Sequence, residues 1–321
     1  MVTTRVCEQL GCANPVFGFS WWEPDVAIAV SQAGGLGIWG CTRRTPEEIE
    51  FGISRMKAEL GDLPWGVDLV IPAGMPDSDD RSAIEATLPE EHVAFVEYLR
   101  EKYDVPDDGL PGFRSRFVRS EETAREQLSV VMDHRIPVLA LGIGSPVWAV
   151  EAAHEQGSLI VSLVGAPTHA ESAIRAGADL LVAQGTDAGG HTGPIGTFSL
   201  VPQVVEVAGG RPVLAAGGVA TGRHLAAALA LGADAVAIGI AALIALNCNR
   251  DIPGADFLKE VGVPAGQCRH CHTGKCPVGI TTQDPELTKR LDPDESAERV
   301  ANFINSMTME MALLTRSLGK G

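Results

Sequence analysis

RPVLAAGGVATGRHLAAALALGADAVAIGI, residues 211–240, is the stretch that decides the fold. An apolar run, RPVLAAGG (211–218), ends in two glycines. A helical pattern, TGRHLAAALALGA (221–233), follows, and a second apolar run, DAVAIGI (234–240), comes after it. Strand, helix, strand is the unit of a parallel sheet. Both strands are apolar throughout rather than alternating, as strands covered on two faces should be. Ala226–Leu246 is the most apolar run of the chain, but Gly232, Asp234 and Gly239 interrupt it, so it reads as helix, turn and buried strand rather than as a membrane span.

The same unit recurs along the chain. Strands are predicted at 15–19, 35–40, 64–72, 136–144, 158–165 and 179–185, which with the two above makes eight. Helical patterns such as EPDVAIAVSQAG and TPEEIEFGISRMKAEL separate them, and several end at glycine. Eight βα units predict a (β/α)₈ TIM barrel, α/β in class. A doubly wound open sheet is the rival, and the strand count disfavours it. The longest connection, about 74–134, reads as an insert. It is a lid, an interaction arm or a solvated decoration. The barrel is expected to be complete within 1–247. Residues 248–321 then form a cysteine-rich loop and a helix packed on the barrel.

A net charge of −16 argues against nucleic acid and against an anionic membrane surface. No charged segment followed by an apolar one opens the sequence, so a cytoplasmic protein is expected. Of seven cysteines, Cys268, Cys271 and Cys276 fall within nine residues, with Cys248 upstream. Without an export signal, a metal site is a sharper reading of this group than disulfides.

The loops after the seventh and eighth strands are the usual phosphate cradle of this barrel. Gly217 and Gly218 end the first and Gly239 lies beside Ile240 at the end of the second. Bare backbone amides there suit a phosphate-bearing cofactor. FMN fits better than a dinucleotide, because no GxGxxG follows the first strand. The sixth strand opens into QGTDAGGHTG (184–193), which sets four glycines around His191. A histidine at the C-terminal end of a barrel strand is placed to handle protons, and the bland alternative is a loop histidine capping a turn.

QGTDAGGHTG, with LVPQVVEVAGGRPVLAAGGVATGR (200–223), LGADAVAIG (231–239), SQAGGLGI (31–38) and PWGVDLVIP (64–72), resembles the nitronate monooxygenase family over roughly Pro15–Gly239. The resemblance implies an FMN enzyme in which His191 is the catalytic group near a nitronate or carbon acid. It implies that Gln184, Gly185, Gly190, Gly217, Gly218, Gly239, Ile240 and Asp68 bind the flavin. Three positions depart from the family pattern: GFSWW at the first strand, Asp68 where many members have asparagine, and Leu159–Ile160 where a lysine often stands. An aspartate beside the ring disfavours an anionic reduced flavin unless it is protonated or paired.

The segments ALIALNC (242–248) and QCRHCHTGKCPVGITTQDPEL (267–287) instead resemble the FMN and iron–sulfur domain of glutamate synthase and of N-methylglutamate synthase. Thiolates at this density bind iron–sulfur clusters or zinc, or stay empty and hold a tail in place. His270 and His272 are further zinc candidates. The resemblance favours an iron–sulfur cluster, with Cys271 and Cys276 as its firmest ligands and Cys268 and Cys248, about twenty residues apart, as the candidates for the rest.

Three functional expectations follow. The first is an FMN-dependent oxidoreductase of nitronate monooxygenase type. The second is a glutamate-synthase-like subunit that reduces an imino acid, with an electron-transfer or amidotransferase partner subunit. The third is a non-catalytic flavin-binding redox subunit. A small-molecule substrate and a homo-oligomer are expected, with neither nucleic acid nor membrane as partner.

Overall fold

A computed structural model of the chain describes residues 3–20, 23–106, 119–248, 259, 262, 268, 270, 275–280, 282 and 284–319. The eight expected strands are β1 (Val16–Ser20), β2 (Leu36–Gly40), β3 (Trp65–Val70), β4 (Val138–Gly142), β5 (Leu159–Val164), β6 (Leu180–Gln184), β7 (Val213–Ala216) and β8 (Ala235–Ile238). They run parallel in chain order, and β8 returns to β1 through Val16↔Val236 and Gly18↔Ile238. The molecule is a closed (β/α)₈ barrel, not an open sheet.

Alternation along each strand divides the core in two. One set of side chains fills the barrel, among them Phe17, Ile38, Val138, Val161, Val182 and Leu214. The other set, including Trp39, Val67, Leu139, Ile160 and Leu181, faces the surrounding helices. The helix α1 (Arg5–Leu10) lies at the N-terminal ends of the strands, where Val6 and Cys7 join the interior cluster. Arg5 pairs there with Asp234, whose carboxylate also accepts the Val213 amide at 2.9 Å.

The outer ring contains α2 (Asp25–Gln32), α3 (Pro46–Leu60), α6 (Glu121–Asp133), α7 (Val147–Glu155), α8 (Pro167–Ala176), α9 (Thr197–Val207) and α10 (Gly222–Ala230). Between α3 and α6 stand α4 (Arg81–Ala86) and α5 (Glu90–Lys102), neither of which buries a residue. Helix α6 packs on α3 and β3, and Ala124, Leu128 and Val131 are buried, so it belongs to the ring. The excursion therefore ends before residue 121 rather than near 134. The periodic apolar stripe of α6 gives the reason.

The chain does not divide at 247 either. The short helix α11 (Ile240–Ala245) follows β8, and the eighth place in the ring is taken by a long helix, Pro293–Ser317. It packs between α10 and α2 and sends Val300, Ile304, Met307 and Met311 into the sheet–helix core. Gly222 is what allows so close a crossing: a methyl there would stand 2.3 Å from the Met307 carbonyl oxygen and 2.6 Å from the Met311 nitrogen. The cysteine-bearing segment is thus a long excursion between β8 and its own ring helix. Among the described residues, no helix is long and apolar enough to cross a membrane.

Candidate active site

At the C-terminal mouth of the barrel lies a cavity of about 530 Å³. Its floor is made of inward-facing residues near the C-terminal ends of the strands: Phe19, Gly40, Asp68, Leu163, Gln184, Ala216 and Ala237. The loop Gly217–Ala220 after β7 and the stretch Gly239–Ile244 after β8 form one wall. Asp187, Ala188 and Gly189 complete the rim.

The β7 loop presents backbone rather than side chains. Gly217 and Gly218 have φ of +104° and +71°, where only glycine is comfortable, and a methyl on Gly217 would meet Thr197 Oγ1 at 2.6 Å. Among the described residues the amides of Gly217, Gly218 and Val219 donate to no acceptor. Free amides beside a second glycine-bearing turn make a donor set suited to a phosphate group. The start of α10 is already engaged, since the Gly222 amide donates to Glu310 Oε2 at 2.7 Å and Arg223 pairs with the same carboxylate. An anion is therefore left to the amides before α10.

The loop after β6 is fastened at several points. Thr186 donates its amide to Ile195, the Thr197 amide donates to Asp187 Oδ2 at 2.7 Å, and Thr197 Oγ1 donates to the Ala216 carbonyl. The amide bond to Thr197 also holds the Asp187 carboxyl below its ordinary value, so it stays ionised. This residue was not anticipated, because its partner lies ten residues downstream and no local capping pattern marks it.

The expected site residues fall in different places. Gln184, Asp68, Gly217, Gly218, Gly239 and Ile240 line the cavity. Gly185 and Gly190 do not. Gly185 is buried against the Thr197 backbone, and Gly190 is exposed. His191 is also exposed and is not part of the cavity wall. The cause is the approach of Gly193 to Gly165 after β5, where a methyl on Gly193 would lie 2.1 Å from the Gly165 carbonyl oxygen. That contact draws the loop over the end of β5, and Gln184 Nε2 holds it by donating to the His191 carbonyl at 3.1 Å.

Asp68 differs in kind from the other lining residues. Burial pushes its carboxyl up to about 7, against a partial opposing pull from Arg119. Arg119 itself donates to the Val70 carbonyl. Beside Asp68 at the end of β2 lies Cys41, fully buried, whose thiol is pushed well up by burial and by the Asp68 charge.

The cysteines fit less completely. Cys276 is buried, while Cys248 and Cys268 are half-buried, and all three pack against the sheet–helix core. Cys271 and His272 lie outside the described residues. Among the described residues no three histidine, cysteine or carboxylate side chains gather as a metal site.

The family model for nitronate monooxygenase matches residues 13–255, and one for a conserved region in glutamate synthase matches residues 209–321. Rv1533 of Mycobacterium tuberculosis, named as a monooxygenase, is 39% identical over 244 residues, covering 74% of this chain. The match spans 65% of that relative's own length. A (3aS,4S,5R,7aS)-5-hydroxy-7a-methyl-1-oxo-octahydro-1H-indene-4-carboxyl-CoA dehydrogenase of the same organism is 30% identical over 322 residues, covering 99% of this chain and 73% of its own. The structure of a nitroalkane oxidase from Streptomyces ansochromogenes superposes with a TM-score of 0.63 at 24% identity, covering 98% of this chain and 99% of that one. At that identity it speaks for the fold.

Proposed function

The chain belongs to the nitronate monooxygenase family, and from that premise we propose that it is an FMN-dependent oxidoreductase acting on a nitronate or a similar carbon acid. The observation that carries the reading is the pairing of unengaged β7-loop amides with a cavity at the barrel mouth. Gly217, Gly218, Gly239 and Ile240 would hold the phosphate of FMN, and Gln184 and Asp68 would lie along its ring. The flavin, when bound, would accept the electrons of the reaction. His191 stands on the loop bordering the cavity and would meet the part of the substrate nearest solvent, as base or anchor. The dehydrogenase relative, named for a ketone-bearing acyl-CoA, widens the substrate class from nitro to carbonyl carbon acids.

Oxygen uptake with a nitroalkane and with its nitronate tests the reading. Turnover of either, cut at least tenfold by His191→Ala, supports it. Full activity in that variant removes His191 from the mechanism, and no turnover of any carbon acid removes the substrate class.

A second reading has its own observation, the glutamate synthase match over 209–321. In it, a cluster on the four cysteines relays electrons to the flavin from a partner subunit. An absorption spectrum of anaerobically purified protein, with iron and zinc assays, tests it. Bound iron with broad visible absorbance favours it, while flavin without iron leaves the cysteines structural or zinc-bound.

A further inference from the structure

Asp68 is the one ionisable side chain that the strands themselves aim into the cavity among the described residues; the other acid there, Asp187, comes from the loop. The two are not alike. Asp187 spends its carboxylate on the Thr197 amide. The Asp68 carboxyl has no hydrogen-bond partner among the described residues, although it is enclosed by β2 and β4. Gly142 on β4 offers it no polar side chain, and Cys41, just past the end of β2, offers a neutral thiol. Arg119 is the charge that acts on Asp68 and Arg43 acts in turn on Arg119, while Arg119 also donates to the Val70 carbonyl. A half-buried carboxyl on the cavity floor, with no protein partner among the described residues, is left free to meet a ligand there.

In a ring of eight strands in chain order, β3 stands opposite β7. A cofactor whose phosphate rested on the β7 loop and which reached across the mouth would bring the substrate to the side of Asp68. We propose that Asp68 is the general base of this chain, taking a proton directly from a neutral carbon acid that binds in the cavity, which leaves His191 the role of anchor.

In this step the substrate C–H bond breaks and an O–H bond forms on Asp68. The electron pair of the C–H bond stays on the substrate as a nitronate or enolate. The proposal rests on the oxidoreductase reading above and specifies its substrate: the neutral carbon acid is accepted as well as the anion. The same carboxyl also sorts the two. Ionised, it acts as a base and repels an anionic substrate. Protonated, it admits the anion and cannot act as a base.

Three measurements test this on the FMN-loaded protein. With the neutral nitroalkane, kcat/KM should rise through about pH 7, whereas with the pre-formed nitronate it should fall. Asp68→Asn should flatten both profiles and lower the ratio of nitroalkane to nitronate turnover by about 10²–10⁴-fold, the usual span for a lost general base. A ratio within threefold of the unsubstituted protein overturns the proposal.

The third measurement needs neither turnover nor a variant. Binding of nitrate, an unreactive anion, should weaken about tenfold per pH unit above pH 7, read by flavin fluorescence. A flat profile overturns the assignment of Asp68. If nitrate binding follows the expected profile while no carbon acid is turned over, Asp68 stands as the titrating group of the cavity. It is then the oxidoreductase reading that fails, and the base assignment with it.

Discussion

Gly222→Ala probes the contact on which closure of the ring depends. The added methyl would lie 2.3 Å from the Met307 carbonyl oxygen, 2.6 Å from Glu310 Cβ and 2.6 Å from the Met311 nitrogen. Two of these are backbone atoms of a packed helix, so no rotamer change relieves them. The helix must retreat by about an ångström, and overpacking of this kind costs about 1–3 kcal/mol. Retreat also stretches the 2.7 Å bond from the Gly222 amide to Glu310, for about 1 kcal/mol more. A loss of about 3 kcal/mol should lower Tm by about 5 °C in a chain of this size. Thermal unfolding followed by circular dichroism measures it, with flavin release recorded on the same sample. Because α10 continues directly from the β7 loop, flavin should leave at or below the unfolding temperature. An unchanged Tm would show that the long helix does not seat on α10, and the assignment of the eighth ring position would fall.

Three further perturbations separate the two ends of the barrel. Arg5→Ala leaves Asp234 with the Val213 amide alone, and since Arg5 is half exposed the cost should be about 1–3 kcal/mol in chemical denaturation. FMN affinity should not change, because that pair lies at the opposite end from the cavity. Gly218→Ala places a non-glycine residue at φ +71° and should lower the flavin content of the purified protein while circular dichroism stays unchanged, the strain being about 1–2 kcal/mol. Asp68→Asn should remove a pH slope in the stability of the flavin-free protein. The folded state raises this carboxyl from an ordinary 3.8 to about 7, so between those values the folded chain holds a proton that the unfolded chain has lost. Stability therefore falls as pH climbs from about 4 to 7 and levels off above. At about 1.4 kcal/mol per pH unit, the ceiling is about 4 kcal/mol. Parallel Tm profiles for the two proteins would refute the burial argument.

The strands were legible because each is a short apolar run stopped by glycine, proline or a charge, and buried parallel strands allow little else. The cradle was legible for a related reason, since Gly217 and Gly218 follow such a run directly. The eighth ring helix was harder. Its pattern is plain at 293–317, but some fifty residues separate it from β8, and nothing local ties it to the ring. The trace left in the sequence is Gly222, a glycine in the first turn of a helix, whose purpose appears only once Met307 lies across it. The position of His191 was hidden in the same way. Its glycines announce a tight loop, while the direction is chosen by Gly193 against Gly165, across the gap between β5 and β6. The family resemblance pointed to His191 and set Asp68 beside the flavin, while the lack of a described partner for the Asp68 carboxyl was visible only in the structure.

The crossing of the long helix over α10 also sets an order of events during synthesis. Gly222 and the carboxylate that receives its amide are separated by 88 residues. At about 5–20 residues per second, a ribosome needs about 4–18 s to make that interval. Once β8 has been made, early in that interval, the nascent barrel has all eight strands but a gap in its ring between α10 and α2. The phosphate cradle is thus made early and braced late, and the cysteine-bearing segment is threaded out in the meantime. Cys248, Cys268 and Cys276 are therefore all synthesised before the last helix locks the ring.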